Sequence, residues 1–64
     1  MKVQIGNYAK FKGLEGRISD ICDLGHKCIV TVMVLTNGYC IEHIIRKTDI
    51  EAVKIEKTSS WIII

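Results

Sequence analysis

Residues 3–21 read V-Q-I-G-N-Y-A-K-F-K-G-L-E-G-R-I-S-D-I. Apolar and polar residues alternate as far as Lys12, two glycines bracket Leu14 and Glu15, and the alternation resumes at Arg17. Period-two alternation broken by glycines is the pattern of a strand, a tight turn and a second strand. Ala9 and Phe11 share one face of the first strand, Tyr8 to Lys12, and are assigned to the core. Gly13 and Gly16 are assigned to the turn, where a residue without Cβ reaches conformations that others disfavour. The second strand is read as Arg17 to Cys22, with Ile18 inward. Ile21 falls out of phase with Ile18, which predicts a bend or bulge near Asp20.

A second strand pair follows. Lys27 to Leu35 is rich in β-branched residues, and Asn37-Gly38 is the strongest hairpin signal in the chain. A two-residue loop there pairs Thr36 with Tyr39, Leu35 with Cys40, Val34 with Ile41, Met33 with Glu42 and Val32 with His43. Thr31 then faces Ile44, and Val30 faces Ile45. One face carries Cys28, Val30, Val32, Val34, Ile41, His43 and Ile45 and is read as core. Phe11, Ile18, Val30, Val32, Val34 and Ile41 are expected to be buried. The opposite face carries Ile29, Thr31, Met33, Leu35, Cys40, Glu42, Ile44 and Arg46, too apolar a set for a sheet face left in water.

The remaining elements are short. Lys2 to Gly6 leads in, with Val3 and Ile5 in alternation. Lys47-Thr48-Asp49 is a turn, Ala52 to Ile55 a last strand, and Thr58-Ser59-Ser60 a polar hinge. No window favours a helix over a strand. The expected fold is all-β: a five-stranded SH3-like barrel over residues 1–57, with an apolar C-terminal tail or extra strand over 58–64.

Sixty-four residues bury a small core, rarely worth more than about 3–5 kcal/mol. The apolar fraction is nonetheless 48%. This surplus predicts self-association through the second hairpin face and the tail, by way of Ile29, Met33, Leu35, Ile44, Trp61, Ile62 and Ile63. The tail could instead fold back over that face within one chain. No apolar run approaches a membrane span. Three cysteines cannot form a fully paired disulfide framework, and no apolar targeting region follows Met1, so a reducing cytoplasm is expected.

Within the small barrels, residues 6–21 resemble a KOW motif, matched by Gly6, Ala9, Phe11, Gly13, Gly16, Ile18 and Ile21. Asn7 stands where that family often has Asp. KOW-type modules contact RNA or protein in ribosomal proteins and transcription elongation factors. The resemblance therefore implies a non-enzymatic binding module in contact with nucleic acid or a nucleoprotein. The rival is a protein-binding adaptor, or a small inhibitor of the kind encoded by mobile elements and phages.

Tyr8, Lys10, Lys12, Lys27, Tyr39, Arg46 and Lys47 are the candidate binding residues, since aromatics stack bases and cations meet phosphates. The net charge of +2 permits such a partner without demanding one. Cys22, His26, Cys28, Cys40 and His43 carry metal-ligating atoms, but C-x3-H-x-C with C-x2-H is no standard zinc spacing. The hairpin register also puts Cys40 on the face opposite Cys28 and His43. No metal, no other cofactor and no enzymatic constellation is expected.

Overall fold

The computed structural model describes residues 3–64, so the Lys2 start of the lead-in lies outside the described residues. The strands are β1 (Tyr8–Phe11), β2 (Leu14–Asp23), β3 (Cys28–Thr36), β4 (Tyr39–Arg46), β5 (Ala52–Lys54) and β6 (Ile62–Ile63). A single 3₁₀ turn, Lys47–Asp49, joins β4 to β5. All six strands form one antiparallel sheet in the order β4-β3-β2-β1-β5-β6. The tail thus becomes an extra strand of its own chain. It lies on β5, at the end of the sheet away from the β3–β4 hairpin.

The β3–β4 register is the one that the Asn37-Gly38 loop dictates, from Thr36↔Tyr39 through Val30↔Ile45. Asn37 and Gly38 adopt φ of 51° and 84°, the left-handed pair that a two-residue hairpin needs. The expected bulge is present. Ile18 pairs with Val32 and Asp20 with Thr31, leaving Ser19 as the extra residue. It restores phase, so that Ile18 and Ile21, three apart, can both contact the core.

The first turn differs from expectation. It is Lys12-Gly13, with φ of 49° and 77°, and Phe11 pairs directly with Leu14. The Lys12 N–H donates to the Glu51 carboxylate at 3.0 Å, which helps hold a lysine in this unfavourable conformation. Gly16 is not a turn residue but lies within β2, opposite Ala9. A Cβ there would collide with the Met33 carbonyl and sit 2.9 Å from Val32 Cγ1. Gly16 is required by close approach of β3, not by a positive φ.

β2 is shared between two halves of the sheet. Tyr8 to Phe11 pair with Leu14 to Arg17, and the residues from Arg17 to Asp23 pair with β3. Ala9, Phe11 and Val53 from one half and Val30, Val32 and Val34 from the other pack in a single buried cluster with Ile18 and Ile50. A flat sheet cannot bring β5 and β3 to one cluster, so the sheet curls over its own inner face. Five of the six expected core residues are buried, and Ile41 is not: it remains 44% exposed. It opposes Val34 on the inner face, but β4 is the edge strand and no further strand closes over it. For the same reason Ile45 and His43 are only half-buried.

Asn7 is the one buried polar residue among those described. Its carbonyl accepts from the Ile18 N–H at 2.8 Å, and its Oδ1 accepts from the Glu56 N–H at 3.3 Å. It ties the start of β1 to the middle of β2 and to the segment leaving β5.

The close approach at Gly16 makes a direct comparison possible. Gly16→Ala should lower the unfolding free energy by about 1–3 kcal/mol through overpacking. Gly13→Ala, which meets no atom within 4 Å, should lose only the left-handed penalty, about 1 kcal/mol. Urea unfolding of both variants measures the difference, and an equal or smaller loss at Gly16 would contradict the packing described here.

Candidate functional site

Strand alternation sorts side chains between the inner face and an outer one. Lys54, Tyr8, Arg17, Met33 and Glu42 form one row across the outer face, because each pairs with the next through β5, β1, β2, β3 and β4. Docking of β6 brings Trp61 beside this row. Tyr8, Glu15, Gly16, Arg17, Met33, Leu35, Lys54 and Trp61 line an open groove of about 380 Å³. Met33 and Leu35 give its lining an aliphatic part, Glu15, Arg17 and Lys54 a charged one, and Tyr8 and Trp61 two aromatic rings.

Those cations are held in place. Lys10 Nζ sits 4.4 Å from the centre of the Trp61 ring. Lys54 Nζ lies 4.8 Å from the Tyr8 ring centre and 5.6 Å from that of Trp61. Arg17 is paired with Glu56 at 2.6 Å, across exposed side chains where an ion pair adds little stability. Lys54 bridges the two rings and keeps a positive charge in the groove lining, while Lys10 stands against Trp61 beside it. A ligand with a flat π-face could take the place of either ammonium on a ring and leave that ammonium free to meet an anionic group.

The seven sequence-predicted binding residues are divided by the fold. Tyr8 and Lys10 lie on the outer face at the groove, Tyr8 as part of its lining. Lys27, Arg46 and Lys47 meet at the opposite end of β3. With Asp23, Gly25, His26, Cys28 and Thr48 they line a second hollow of about 370 Å³. Lys12 sits in the β1–β2 turn and Tyr39 beside the β3–β4 turn, 74% exposed. Sequence reasoning did not assign Arg17, Lys54 or Trp61 to binding. Lys54 was findable, since it lies two residues from Ala52 in a strand that must pair with β1. Trp61 was not, because its position depends on which strand the tail joins.

The expected self-association set lies on this outer face except for Ile62, which pairs with the inward Val53. Met33, Leu35 and Trp61 line the groove. Ile29 and Met33 are half-buried, while Leu35 and Ile44 are 69% and 66% exposed. The tail covers the β1–β5 side and leaves this part of the hairpin open. Ile62 and Ile63 are themselves 44% and 83% exposed.

Cys22 and Cys40 are exposed, Cys28 is half-buried, and all three are free thiols. The His43 ring packs edge-on against Phe11 at 5.5 Å, so this histidine is a core neighbour. Among the described residues no three His, Cys, Asp or Glu side chains gather as a metal site would require. Among the same residues no helix is long and apolar enough to cross a membrane. Comparison with known proteins finds no matching family model, no matching curated protein and no matching solved structure.

The contact between Lys10 and Trp61 is measurable by a double-mutant cycle with Lys10→Ala and Trp61→Leu. The expected coupling is about 0.5–1 kcal/mol in unfolding free energy, the range for an exposed cation over a ring. A coupling of zero would remove the ordered groove wall.

Proposed function

We propose that this chain is a non-enzymatic binding module that takes single-stranded nucleic acid across its outer face, at the groove between Tyr8 and Trp61. The observation that carries the reading is the placement of two aromatic rings in one groove lining with Lys10 and Lys54 against them. Sequence-tolerant single-strand binding needs this combination: rings on which bases stack, and cations that follow the backbone. The KOW-like residues Gly6 to Ile21 favour the same partner. In the finer architecture the curled sheet is an SH3-like barrel, supported by the shared strand β2 and the single core cluster between its halves. The three free thiols are compatible with a reducing, cytoplasmic setting.

Lys27, Arg46 and Lys47 extend the track. Arg46 lies on the same face, paired with Ile29, four positions along β3 from Met33 and so about 13 Å away along the strand. A strand of a few nucleotides could stack at Tyr8 and Trp61 and place a later phosphate at this second cationic cluster.

A second reading, a protein partner, is favoured by the aliphatic part of the groove lining and by Glu15 within it. Salt separates the two. Fluorescence anisotropy with a labelled oligothymidylate and an oligouridylate should show binding that weakens steeply with salt. Tyr8→Ala and Trp61→Ala should each weaken it by about tenfold, within the roughly 1–3 kcal/mol that one stacked base contributes. Lys54→Gln should reduce the salt slope by about one. Tyr8 is separate from the β6 docking residues, so it reports on stacking even if Trp61→Ala loosens the tail. Absence of oligonucleotide binding at low salt would overturn this function and leave the protein-partner reading.

A further inference from the structure

The sheet has two ends, and they differ. β6 is two residues long. β4 is eight, from Tyr39 to Arg46, and pairs only with β3. In an antiparallel hairpin closed by two residues, the flanking pair exchanges both hydrogen bonds, and every second pair does so after it. Tyr39, Ile41, His43 and Ile45 therefore turn their backbone groups toward β3. Cys40, Glu42, Ile44 and Arg46 turn theirs outward. The Arg46 N–H agrees in direction but is already taken, donating away from the sheet to Asp49 Oδ2 at 3.2 Å, so at that position only the C=O is open to a further strand.

Apart from the charges of Glu42 and Arg46, the usual protections of a free edge are missing. The chain has no proline, and the β3–β4 register runs without a bulge. No lysine interrupts β4, and Ile41 and Ile44 are 44% and 66% exposed. A row of outward backbone groups flanked by aliphatic side chains is a template for another strand.

We propose that β4 pairs with β4 of a second copy of this chain, antiparallel and centred on Ile44, to form a two-fold dimer with one continuous sheet. Symmetry and charge select this register. A two-fold axis perpendicular to the sheet keeps like faces together, so only registers centred on a residue are allowed. Centring on Glu42 sets two carboxylates against each other. Centring on His43 sets Glu42 against an isoleucine. Centring on Ile44 sets Ile44 against Ile44 of the partner subunit and Glu42 against Arg46 of the partner subunit, twice. Directly opposed unlike charges stabilise a strand pair, and like charges weaken it. The same operation leaves both outer faces on one side of the joint sheet, so the dimer neither covers nor requires the Tyr8–Trp61 groove.

Sedimentation equilibrium in reducing buffer tests this, the reductant removing any disulfide through exposed Cys40. The expected species is a dimer that grows no further. Glu42→Arg and Arg46→Glu should each weaken it by about tenfold or more, because each turns two unlike-charge pairs into like-charge pairs. Glu42→Arg combined with Arg46→Glu should restore it. Circular dichroism checks that each variant is folded. If one is not, amide exchange on the unmodified chain decides the matter. The amides of Glu42 and Ile44 should be protected in concentrated solution and exchange freely on dilution, while that of Cys40, which would face the partner beyond the end of its β4, should stay unprotected. A monomer at millimolar concentration, an open-ended polymer, a dimer indifferent to the single substitutions, or loss without rescue in the double variant would each overturn the proposal.

Discussion

The phase of β3 is the constraint on which the rest depends. A strand has two faces, and a shift of one residue exchanges them completely. The Asn37-Gly38 turn fixes that phase, since only left-handed residues close a two-residue loop with the right twist. Val30, Val32 and Val34 then point inward and are buried almost completely. Met33 and Leu35 must point outward, where they line the groove. The β-branched residues are stiff at χ1 and pack well on a pleated surface, so the inner face is well specified. The outer one inherits whatever remains, which in this chain is also apolar. Both the groove and the exposed Leu35 are consequences of filling a small core from a strand whose two sides are both hydrophobic.

The parts of the fold visible in the sequence are those set by local geometry. The β3–β4 register, the bulge beside Asp20 and the Lys47–Asp49 turn each depend on a few neighbouring residues. The first turn was legible too, though not by counting glycines. Leu14, Gly16 and Ile18 recur at period two, and Gly16 is the inward member with no side chain to place. Reading it as a turn residue mistook a demand for space for a demand on φ. Ile41 illustrates a different limit. Its face was right and its burial was not, because alternation gives direction while burial requires a neighbour beyond the strand. The docking of β6 on β5 is non-local, and no turn residue announces it. Half of the candidate groove was therefore hidden, since Tyr8 and Lys10 follow from alternation but Trp61 does not.

Asn7 shows how a sheet this small is held in its curl. Strand β2 must serve two halves, and the segment after β5 must return to the start of β1. One side-chain oxygen and one backbone carbonyl of Asn7 reach both places. A buried polar group is costly unless it is hydrogen-bonded, and once bonded it admits few other arrangements. An apolar residue here would pack as well but would leave the Glu56 N–H without this acceptor. The Arg17–Glu56 ion pair lies on the same junction, outside and exposed. It adds to the closure on the solvent side, with less directional constraint than Asn7.

The apolar surplus can now be divided among separate surfaces. The tail takes part of it, since β6 covers Ala52 and Val53, which are 5% and 1% exposed. The groove takes Met33, Leu35 and Trp61, leaving them open to a ligand. What remains lies around β4, at Ile41 and Ile44, beside backbone groups that have no strand to meet. A closed sheet would have removed that edge by joining β4 to the other end. The short β6 occupies the other end instead, and so β4 remains the longer of the two edge strands. Binding across a face draws on side-chain surface and pairing along an edge on backbone N–H and C=O, and the two meet only at Arg46, whose side chain is called on by both.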